Sequence, residues 1–135
     1  MDLRELSVSL VSSTTINCQT TASKLSLFTV PTGKVFIPVV AVFREPSATL
    51  AGMIDFDLGG NALCDDWLQQ VSLAAFTATT DQGLVAQPTQ AAGPPIVPAK
   101  SIVYAAAVVF GMYINTGSTG AANVKVDLYG YLFDA

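Results

Sequence analysis

Nearly every segment of this chain reads as strand and turn, with clusters of turn-forming residues at intervals of roughly 8–12 residues. Period two is the geometry of a β-strand with one face buried. Leu6 to Leu10 alternates this way until Ser12 to Thr15 breaks it, and Leu25 to Val30, Thr49 to Leu58, Val71 to Phe76, Leu84 to Ala86 and Ala122 to Phe133 also read as strands. Ile102 to Ile114 reads as one long strand, or two with a kink near Gly111. In Val30-Pro31-Thr32-Gly33-Lys34, proline suits the first inner position of a turn and glycine the left-handed position that follows, a hairpin signal. The only helical expectation is a single turn over Asn61 to Trp67, where Asn61 can cap and Asp65 and Asp66 lie near the start. Eight or so short strands without a helix of ordinary length predict an all-β, jelly-roll-like antiparallel β-sandwich. At 135 residues the chain is expected to form one domain over 1–135, with a short N-terminal arm at about 1–20.

The run Val35 to Phe43 departs from simple alternation, because both faces are apolar. Strict alternation sends Val35, Ile37, Val39, Ala41 and Phe43 one way and Phe36, Pro38, Val40 and Val42 the other. Such a strand is central to two packed layers or lies against another chain. Pro38 cannot donate to a sheet ladder and belongs at an edge or bulge. These readings make Phe36, Val40 and Val42 candidates for a surface that meets another subunit. In the last strand Ala122, Val124, Val126 and Leu128 are expected in the core. The opposite row begins with Asn123, Lys125 and Asp127 and becomes Tyr129, Tyr131 and Phe133, the further interface candidates. The segment Gln87 to Lys100 carries four of the seven prolines. It is read as extended or as a loop that meets a partner, with Pro94 and Pro95 as candidates.

Charge narrows the function. Hydrophobic residues make up 51 % of the chain and charged residues 12 %, against a typical ~25 % charged. A surface so poor in charge favours self-association or a covering partner. Six Lys and Arg against ten Asp and Glu give net −4, too few cations for a run of phosphates, so no nucleic-acid partner is expected. There is no His, which removes Ser–His and Cys–His catalysis and His-ligated metals from a single chain. The longest apolar run is too short for a membrane-spanning helix of about 20 residues, and the start has no secretory pattern. Cys18 and Cys64 are too few for a disulfide framework and are expected as free buried thiols.

The residues that could carry chemistry have plainer readings. Asp55, Asp57, Asp65 and Asp66 could bind Ca²⁺ or supply an acid/base pair, but alternation on a strand face also describes solvated carboxylates, and the spacing matches no calcium loop. Cys64 beside Asp65 and Asp66 would have its thiol pKa raised rather than lowered. The glycine turns Gly59-Gly60 and Gly117 to Gly120 match no nucleotide-binding pattern. Trp67, Tyr104, Tyr113, Tyr129 and Tyr131 could form a sugar-stacking platform or could be core and interface aromatics. The expectation is a binding or structural protein, not an enzyme, with no cofactor and no metal.

Several segments resemble those of small phage and prophage virion proteins: Leu27 to Val35, with its Val30-Pro31-Thr32-Gly33-Lys34 turn; Phe43 to Gly52; Asp55 to Gly59; Asp66 to Leu68; Gly117 to Ala122; and Val126 to Phe133. The resemblance covers roughly Leu25 to Phe133, outside the proline-rich segment. It implies a jelly-roll virion structural protein of tailed bacteriophages, foremost a capsid decoration, or cement, protein. Such a protein would be made in the host cytoplasm and sit as a homotrimer on the outer surface of the head, with the major capsid protein as partner. A receptor- or carbohydrate-binding head of a tail fibre or other appendage is the alternative.

Overall fold

A computed structural model describes residues 7–86 and 103–135 of the chain. Eight strands follow in order: β1 (Ser9–Asn17), β2 (Lys24–Thr29), β3 (Lys34–Arg44), β4 (Asp55–Gly59), β5 (Leu68–Val71), β6 (Gly83–Ala86), β7 (Val109–Thr116) and β8 (Asn123–Asp134). They form two four-stranded antiparallel sheets, β1-β8-β3-β6 and β2-β7-β4-β5. The pairs β1·β8, β2·β7, β3·β6 and β4·β5 are those of one long antiparallel ribbon folded at its middle. Rolling that ribbon up brings β8 against β3 and β7 against β4, which completes each sheet. This is the jelly roll, with each sheet burying one face against the other. Ser9–Asn17, expected within an arm and broken at Ser12 to Thr15, is an edge strand that pairs with β8 through those very residues.

The β2–β3 turn forms as its residues require: Lys34 N–H donates to the Pro31 carbonyl at 3.1 Å, and Gly33 takes φ +73°. In β3 the expected alternation breaks. The register with β8 slips between Pro38 and Val40, leaving Val39 as the extra residue of a bulge. Phe36 N–H and carbonyl bond Tyr104 on the β6 side of the strand. Two residues on, Pro38 N faces that same side, between the Tyr104 bridge and the Ala86 pairing of β6, where no described residue pairs with it. The bulge flips the face of everything after it. Phe36 and Pro38 point inward together with Ala41 and Phe43, while Val35 and Ile37 share the outer face with Val40 and Val42. Phe36 is therefore a core residue, not an interface candidate.

The core is aromatic. Phe36 packs edge-to-face on Phe28 and Phe110, with ring centroids 5.0 and 5.9 Å apart, and Trp67 and Tyr104 each stand 5.4 Å from Phe110. Phe43 meets Phe56 at 5.3 Å. Val124, Val126 and Leu128 of β8 are fully buried and Ala122 nearly so, as the alternation predicts.

Other expectations shift at the ends of strands. Asn61 to Cys64 makes one turn, with Cys64 N–H donating to the Asn61 carbonyl at 3.2 Å; Cys64 then takes φ +55° and no helix follows. β5 ends at Val71, and Leu73 N–H turns back to the Met53 carbonyl. The run from Ile102 is divided not at Gly111 but by a turn at Ala105 to Val108, where Ala107 takes φ +70°, so β7 starts at Val109. No helix among the described residues is long and apolar enough to cross a membrane.

Candidate functional site

The outer face of the β1-β8-β3-β6 sheet joins the two surfaces expected separately from β3 and β8. Register puts Val35 opposite Phe133, Ile37 opposite Tyr131 and Val40 opposite Tyr129. These six side chains are half-buried, and none packs on the core. Two residues extend the patch across the sheet. Leu10 of β1 pairs with Tyr129 and is 52 % exposed; Leu84 of β6 pairs with Val42 and is 68 % exposed. The sequence reading missed both, and no local signal marks them, because each joins the patch only through a long-range strand pairing. Val40, Val42, Tyr129, Tyr131 and Phe133 stand where the sequence analysis put them, on the outer face. Pro94 and Pro95 lie outside the described residues.

Charges frame the apolar rows at both ends. Lys34 and Asp134 are register partners joined by a 2.6 Å ion pair. At the other end Asp127 of β8 is buried and accepts from a donor on each neighbouring strand: Ser13 Oγ at 2.6 Å from β1, and Arg44 Nε at 2.5 Å from β3. The Arg44 hydrogen bond, then the Ser13 hydroxyl, hold the Asp127 carboxyl below the usual carboxylate range against the opposing effect of burial. Glu45 bridges Arg44 and Lys125, and its carboxyl is lowered by Lys125 first.

The opposite outer face is polar. Tyr113 of β7 lies between Lys24 of β2 and Asp57 of β4. Asp57 Oδ1 accepts from Gln70 N–H and Oδ2 from Asn115 Nδ2, both at 2.9 Å. Asp66 Oδ1 accepts from Gly60 N–H at 2.7 Å and from the Tyr104 hydroxyl at 3.0 Å. Burial, and then the neighbouring Asp66 carboxylate, push the Tyr104 pKa far up, so it stays a donor. Asp65 accepts from Asn61 Nδ2. Asp55 Oδ1 accepts from Asn115 Nδ2 at 3.4 Å, so the four carboxylates hold loops and strand ends, and among the described residues no group of three or more Cys, Asp or Glu is placed to hold a metal. Cys18 and Cys64 are free and buried, and burial raises both thiols to about 11, which keeps them protonated at neutral pH. The five aromatics weighed as a sugar platform are dispersed: Trp67 and Tyr104 in the core, Tyr113 on one outer face, Tyr129 and Tyr131 on the other.

Compared with known protein families, with curated proteins and with solved structures, the chain matches none.

Proposed function

We propose that this protein is a virion structural protein of a tailed phage, most specifically a capsid decoration protein that stabilises the head shell as a homotrimer bound to the major capsid protein. The observation that carries the reading is the outer face of the β1-β8-β3-β6 sheet, where Val35/Phe133, Ile37/Tyr131 and Val40/Tyr129 form apolar rows framed by ion pairs. A face of this kind works by contact. Burying apolar area contributes roughly 25 cal/mol per Å² before the costs of association. Repeated over symmetric sites, modest contacts add by avidity. The jelly roll and the virion-like segments, which run from the β2–β3 turn through β8, support the same reading.

The test compares phage heads lacking the protein with heads to which it has been added back. Restored heads should survive a higher temperature or a stronger osmotic shock before bursting. Equal robustness together with reduced adsorption to host cells would replace cementing with the receptor-binding alternative.

A further inference from the structure

We draw no further inference here: the strongest candidate, the side-chain cluster of Lys24, Asp57, Tyr113 and Asn115 on the outer face of the β2-β7-β4-β5 sheet, turns its polar groups on the fold itself, with Lys24 donating to the Gly60 and Asn61 carbonyls and Asp57 accepting from Gln70 N–H and Asn115, and nothing in the structure points to a ligand there.

Discussion

Ile37 and Tyr131 stand opposite each other across β3 and β8 on the outside of the sandwich, while Phe36, one residue earlier, is fully buried against Phe28 and Phe110. Neighbouring positions of one strand thus carry very different energies. Phe36→Ala removes a core ring and leaves a cavity, which should cost about 3–5 kcal/mol. Ile37→Ala in the dissociated chain should cost about 1 kcal/mol, the scale of strand propensity. Denaturant midpoints measured under dissociating conditions check this, and a larger loss for Ile37 than for Phe36 would reverse the two faces.

Asp127 makes the fold sensitive to acid. Its folded pKa lies below the unfolded value, held down first by Arg44. The stabilisation is therefore complete above the unfolded carboxylate's pKa of about 3.9 and is lost as pH falls through the lower folded value. Asp127→Asn should lower stability near neutral pH by about 1.5–3 kcal/mol, the range for hydrogen bonds to charged groups. It should also flatten the decline in melting temperature below about pH 4. An unchanged acid profile in the variant would assign the acid sensitivity elsewhere.

What was legible depended on whether the cause was local. The Pro31–Gly33 turn and the two faces of β8 are written in adjacent residues, and both formed as read. The faces of β3 are not. Pro38 signalled an edge or bulge, but where the face flips depends on the slip against β8, a strand far from β3 in sequence. The turn at Ala105 to Val108 carries no Gly or Pro to mark it, so Ile102 to Ile114 looked continuous. The candidate surface was half legible for the same reason. Tyr129, Tyr131 and Phe133 declare an outer row by alternation, whereas Leu10 and Leu84 join it only once β1 and β6 are paired.

Backbone conformation gives a pair of predictions of opposite sign. Gly33 has φ +73° with open space where a Cβ would go, so Gly33→Ala meets no clash and carries only left-handed strain. It should cost about 1–2 kcal/mol. Ala22 is exposed and takes φ +55°. Ala22→Gly should therefore stabilise the fold by up to about 1 kcal/mol, the relieved strain being partly offset by the greater freedom of glycine in the unfolded chain. Thermal melts of the two variants should move in opposite directions.

The acidic residues of β4 serve the fold, and this can be separated from metal binding. Asp57 is buried, and its two oxygens take the Gln70 N–H and the Asn115 amide. Gln70 itself sits at φ +56°, so the carboxylate pins a strained residue of β5 while tying β4 to β7. Asp57→Ala deprives two donors of their acceptor and should cost about 2–3 kcal/mol. For a domain of this size that lowers the melting temperature by about 3–5 °C per kcal/mol. A cation bound only to the folded state would also stabilise it, by an amount that vanishes when the cation is removed. Chelator should therefore leave the wild-type melt in place, and added Ca²⁺ should not rescue Asp57→Ala. A fall of several degrees in chelator, reversed by Ca²⁺ in the wild type and absent in Asp57→Ala, would instead make Asp57 a ligand and its hydrogen bonds the preparation of a site.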